Sequence, residues 1–83
     1  MEKTLTLSNS IAEARKVIAA TIDSLNEQSL SHMEMRRQKI EKNPRFVETE
    51  EYGKSMSVSY QIRRTMKDLQ EAYDTLGNIW RTI

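Results

Sequence analysis

Cysteine is absent from this chain. No disulfide can staple the fold, and thiolate-held zinc and iron–sulfur centres are excluded with it. A single histidine, His32, has no second histidine to share a metal. The sequence has one proline and two glycines, so few positions can interrupt a helix. The two glycines, Gly53 and Gly77, stand alone, and a glycine-rich phosphate loop is therefore missing. No apolar run approaches the roughly 18 residues of a membrane span. No basic start followed by an apolar core marks a signal peptide. The net charge of +1 argues against a partner held by bulk electrostatics, such as duplex DNA. These absences point to a cytoplasmic, membrane-free protein with no cofactor and no metal, stabilised by helix packing or by association. Its 83 residues allow one domain.

What is present is helical periodicity. Ile62, Met66, Leu69, Tyr73, Leu76, Trp80 and Ile83 follow one another at steps of four and three. That spacing draws one apolar stripe down a helix. Val58, Ala72 and Ile79 widen it. Earlier in the chain Ile11, Ala14, Ile18, Ile22 and Leu25 repeat at the same steps, with Val17 and Ala20 broadening the apolar side. Ser10 and Glu13 form a capping box in front of this run. They place a helix start at Ser10 and leave residues 1–9 as an arm.

The apolar pattern weakens from Asn26 to Ser29 and resumes at Leu30, Met33 and Ile40, with Arg37 between them. One reading continues the helix through a polar turn to Asn43. The other recaps it at Ser29 or Ser31, where Ser31 and Glu34 would form a second capping box. Nothing between Leu25 and Leu30 breaks a helix outright, and the continuous reading is preferred. Asn43–Pro44 ends it, because proline excludes helical backbone at the preceding residue and donates no amide. Lys39 and Lys42 sit where cations favour a helix C-terminus. Phe46 or Val47 is placed to cover the joint. Thr49 caps the next helix, with Glu50 and Glu51 in its first turn. Gly53 admits later starts at Ser55 or Ser57.

The predicted organisation is thus an arm at 1–9, a first helix at 10–43, a turn at 44–48 and a second helix at 49–83. The fold class is all-α, a long antiparallel two-helix hairpin resembling a coiled coil. The alternative is a three-helix bundle with the first arm broken near Ser29. Both apolar sides are wider than one seam needs, which predicts a homodimer or contact with another protein. The stripe from Ile62 to Ile83 is the predicted interface, with Leu69, Tyr73, Leu76 and Trp80 nearest the contact.

No side-chain set carries chemistry. Ser31 and His32 are neighbours and do not face each other on a helix. Glu48, Glu50 and Glu51 match no metal-loop spacing and are explained by the helix start. The protein is read as not an enzyme. A basic group, Arg36, Arg37, Lys39, Lys42 and Arg45, falls within ten positions, and Arg63, Arg64 and Lys67 form a smaller one near Tyr60. A solvated, partly paired surface is the ordinary account of both. A nucleic-acid contact patch is the second account, admitted but not favoured. The reading is a small regulator, adaptor or assembly factor acting by helix-on-helix contact.

The Lys42–Asn43–Pro44 turn and the Met66–Lys67–Asp68–Leu69 segment of the second helix resemble the helical-hairpin subunits of bacterial type III secretion needles. The resemblance touches about half of the chain. The tandem helix-breaking turn of that family is reduced here to Asn43–Pro44, and membership is not assigned.

Overall fold

The computed structural model describes the backbone from Glu2 to Ile83 and side chains from Thr6 onward. Two α-helices, α1 (Glu2–Lys42) and α2 (Glu50–Thr82), are joined by a short 3-10 helix, Pro44–Glu48. They pack side by side and antiparallel as a rod of 63 × 15 × 14 Å. Its radius of gyration is 18.6 Å, against about 12 Å for a compact domain of this length. The hairpin is the expected fold. The three-helix alternative is overturned, because α1 passes through Asn26–Ser31 unbroken.

One expected boundary is corrected. Helix α1 begins at Glu2, so Ser10 lies within it and is not a cap. Serine is tolerated in a helix interior at modest cost, and the backbone bonds of the longer helix replace the side-chain cap. Met1 and the side chains of the first five residues, part of the expected arm, lie outside the described residues.

The joint is built as its residues dictate. Asn43 takes an extended backbone, and its Oδ1 accepts from the Arg45 amide at 3.1 Å. Thr49 is extended as well; its hydroxyl accepts from the Tyr52 amide at 3.2 Å and donates to the Phe46 carbonyl at 2.7 Å. Thr49 therefore ends the turn and starts α2 together. Phe46, not Val47, covers the joint. Its ring is buried, meets Tyr52 edge-on at 5.9 Å and lies 5.4 Å below the Lys39 ammonium. Val47 stays exposed. Gly53 does not delay α2, which runs through it from Glu50.

Both helices meet along an unbroken alternation of three and four residues. On α1 the facing positions are Ser8, Ile11, Arg15, Ile18, Ile22, Leu25, Ser29, His32, Arg36 and Lys39, all buried or half-buried. On α2 they run Tyr52, Ser55, Ser59, Ile62, Met66, Leu69, Tyr73 and Leu76 in the same way, reaching the exposed Trp80 and Ile83 at the open end. A sustained seven-residue repeat of this kind is the geometry of a coiled-coil seam. Among the described residues the buried hydrophobic side chains are only Ile11, Phe46 and Ile62, and no large side chain is fully buried.

The weak apolar stretch of α1 is resolved by this repeat. Leu30 and Met33, expected to resume the apolar edge, are 55% and 52% exposed, whereas Ser29 and Arg36 are buried. Val17 and Ala20, expected to widen the apolar side, face outward. Helix phase, once set by Ile11 to Leu25, decides which later residues meet α2, whatever their polarity.

Candidate functional site

The half of the seam next to the turn is a hydrogen-bonded polar cluster. Arg36 donates from Nη1 to the Ser55 carbonyl at 3.2 Å, the Ser55 hydroxyl at 2.9 Å and the Ser59 hydroxyl at 2.8 Å. His32 Nδ1 lies 3.0 Å from the same Ser55 oxygen. The Ser55 hydroxyl, with one proton and two lone pairs, thus joins Arg36 and His32 in one cluster. Serine is what allows this. Its small side chain lets α1 approach α2 closely enough for the arginine to lie in the seam, and its oxygen replaces part of the lost hydration. No carboxylate pairs with Arg36 among the described residues.

A second arginine enters the seam near the open end. Arg15 lies over the Tyr73 ring, 4.0 Å from its centroid, and donates from Nε to the Tyr73 carbonyl at 3.2 Å. A cation held over a ring face and bonded to a backbone carbonyl is held on two sides. Gly77 makes the space. A Cβ built there would lie 2.8 Å from Arg15 Nη2. The helix-interior glycine therefore admits a guanidinium. Beyond it, Trp80 donates from its indole nitrogen to the Ser8 hydroxyl at 2.7 Å while remaining 47% exposed.

The predicted interface stripe is thus placed against α1 within the chain. Ile62 is buried, and Met66, Leu69, Tyr73 and Leu76 are half-buried. Trp80 and Ile83 keep much of their surface open. A second chain would therefore meet the sides of this seam and its open end, not its centre.

The predicted basic patch is dispersed. Arg36 is inside the seam. Arg37 is bracketed by Glu34 at 2.5 Å and Glu41 at 2.7 Å. Its hydrogen bond, with that of the Gln38 amide, holds the Glu34 carboxyl below the usual carboxylate range, and Glu34 raises Arg37 in return. Lys39 pairs with Glu51 across the two helices, and Arg45 pairs with Glu48 at 3.4 Å. Lys42 is exposed at the end of α1. The smaller group is different. Arg63, Arg64 and Lys67 share one outward side of α2 with Tyr60, which is 60% exposed, and among the described residues they have no ion pair. The nearby carboxylates Asp68 and Glu71 do not pair with them.

Among the described residues no three His, Asp or Glu side chains converge as metal ligands would. No helix there is long and apolar enough to cross a membrane. The residues that sequence reasoning missed are Arg15, Ser29, Ser55 and Ser59. Counting the three-four alternation onward from Leu25 and backward from Ile62 names all but Arg15, which sits four beyond Ile11 in the same count.

Comparison with known proteins adds no relative: no family model, no curated protein and no solved structure matches the chain.

Proposed function

We propose that this protein is a non-enzymatic interaction module, a small regulator, adaptor or assembly factor that works by presenting helix faces to another protein, with a second copy of itself as one partner. The observation that carries this reading is the imbalance of apolar surface. Leu7, Val17, Leu30, Met33, Val58 and Ile79 are among the large hydrophobic residues left exposed, while among the described residues only three hydrophobic ones are buried. A two-helix rod has one seam, and helices with apolar residues on further sides find cover only on other helices. Contiguous exposed apolar surface marks an interaction site, and of these residues Leu7, Val17, Val58 and Ile79 fall toward one side of the rod. A cytoplasmic setting agrees with the cysteine-free composition.

The experiment is site-directed cross-linking in the producing cell. The absence of native cysteine lets single cysteines be placed at Val17, Val58 and Met33 without background. The reading expects cross-links to a defined polypeptide, self or other, that disappear when the neighbouring apolar residue is made glutamate. Cross-linking to no polypeptide at any of these positions overturns it.

A second reading, nucleic-acid binding, moves with the charges. The exposed Tyr60, Arg63, Arg64 and Lys67 support it better than the paired residues from Arg37 to Arg45. It expects binding to a single strand that weakens with salt and is lost in Arg63→Glu/Arg64→Glu. No binding at low salt removes it.

A further inference from the structure

We infer that a second copy of this chain docks on the uncharged side of the hairpin, the side adjoining the seam at Leu7 on α1 and Ile79 on α2. This rests on the interaction-module reading and names its partner and surface. Every seventh residue from 7 to 35 and from 10 to 38 on α1, and from 58 to 79 on α2, makes up this side. None of these fourteen positions is charged, although charged residues make up 30% of the sequence. An ordinary soluble surface of that composition would put about four charges there. Antiparallel pairing brings the two helices' rows to the same side of the seam and leaves Ala19 of α1 and Gln70 of α2 together on the other; at the turn end the rows run on to the charged Lys42 and Glu51. The opposite side is where Arg15 meets Gly77 and where grooves open beside Ala12, Ala19 and Ile40.

Surface area and charge both favour a second copy as the occupant. The hairpin exposes 6538 Å². A compact monomer of 9.7 kDa exposes about 5,100 Å². The excess, about 1,400 Å² per chain, is of the order that a stable dimer removes. A two-fold axis along the rod sets α1 of one copy beside α2 of the other, antiparallel as within the chain, with heights unchanged. The contacts Ser8–Trp80, Arg15–Tyr73 and His32–Ser55 fix which heights correspond. Leu7 and Ile79 then share one layer with their symmetry mates, and Ala14 and Ala72 share another, so large meets large and small meets small. At the rim, Glu34 of one copy, paired in its own chain with Arg37, comes level with Lys54 of the other, paired in its own with Glu50, so that the four charges can join in one network; Glu27 comes within one turn of Arg64. The uncharged centre with complementary charges at its edge is the anatomy of a helix-bundle interface.

Sedimentation equilibrium of the full chain tests this. A dimer is expected at tens of micromolar. Ala72→Glu, at an exposed position where glutamate is a good helix former, should raise the dissociation constant at least about tenfold. Gln70→Glu, on the opposite side, should leave it unchanged. Lys54→Glu should weaken the dimer, and Glu34→Lys in the same chain should restore it. As a measure independent of variant stability, Ala14→Cys should be joined to its mate by a short bis-maleimide and Gln70→Cys should not. A monomer at 100 µM overturns the proposal, as does a dimer equally sensitive to Gln70→Glu. A monomer that still cross-links to a different protein in cells overturns the second copy alone and leaves the interaction-module reading standing.

Discussion

The two halves of the hairpin share one spacing and differ in chemistry. Near the open end the seam is mainly aliphatic, with Ile11, Ile18, Ile22 and Leu25 facing Ile62, Met66, Leu69 and Leu76, and Arg15 set over Tyr73. Near the turn it is polar, with Ser29, His32 and Arg36 facing Ser55 and Ser59. Apolar burial is non-directional and tolerates small slides of one helix along the other. Hydrogen bonds from one guanidinium to two hydroxyls do not, because a displaced partner leaves a buried polar group unsatisfied. The aliphatic half thus supplies most of the cohesion, and the polar half adds a register beside a turn that already holds the helices together.

The largest expected effect comes from separating the halves. Gln28→Pro falls in α1 at their boundary, where the helix is continuous. It should cost about 3 kcal/mol or more, by removing a backbone bond and clashing with the preceding turn. Denaturant unfolding at fixed protein concentration measures it. A midpoint near that of the unaltered chain would mean that the two halves do not depend on a continuous α1.

Within the aliphatic half, Ile62→Ala should cost about 2–4 kcal/mol, since Ile62 is 8% exposed. Leu69→Ala, at a half-buried position, should cost less, about 1–2 kcal/mol, because the surroundings and solvent fill part of the vacated space. Equal costs would show that Leu69 is covered by more than α1, which is what a second chain would do.

The polar half should respond in the opposite sense to single and combined changes. Ser55→Ala/Ser59→Ala should destabilise by about 1.5–3 kcal/mol, since it strips the hydroxyl acceptors from a buried cation. Adding Arg36→Leu should recover that loss or exceed it, as an apolar seam replaces a polar one. Recovery of stability together with a changed spin-label distance between the helices would show that Arg36 serves register. If the triple variant is no more stable than the double, the polar cluster is itself a net source of stability.

Gly77 links the arginine of the open half to helix propensity. Gly77→Ala gains about 1 kcal/mol in propensity but displaces the Arg15 guanidinium from its place beside Tyr73. The two effects should nearly cancel. In an Arg15→Ala background the same change should stabilise by about 1 kcal/mol, and the difference is the coupling between the two positions.

The smallest effect is on pH. Glu34 has its folded-state carboxyl lowered by Arg37 and Gln38. Its contribution is therefore present above the ordinary carboxylate range and is lost as the pH falls through and below that range. The pair is exposed, so the contribution is small. Thermal midpoints of the unaltered chain and Glu34→Gln should differ at neutral pH and converge in acid. A difference that persists below the carboxylate range would assign the effect to packing.

Much of the architecture was legible because it is local. Asn43–Pro44, Thr49 with Glu50 and Glu51, and the aliphatic repeats state where helices stop, start and face, and the backbone follows them. Ser10 with Glu13 was equally legible and was overridden, since a capping box is only a preference and α1 extends past it to Glu2. Reading apolar residues as the seam failed at Leu30 and Met33, because hydrophobicity reports the average habit of a face and not its phase. The candidate site was legible only as a list of residues. That Arg36 leaves the basic group for the seam while Arg63, Arg64 and Lys67 remain outside depends on which side of each helix is covered.

The sequence by itself determined two long helices, one turn and the aliphatic half of their seam, since propensity, capping and periodicity act within a few residues of each other. Only the tertiary structure decided that Arg36 finds its acceptors on Ser55 and Ser59 within the seam and that Gly77 makes room for Arg15. Those outcomes depend on the rotation of one helix against the other, and that rotation is set by all the facing positions at once.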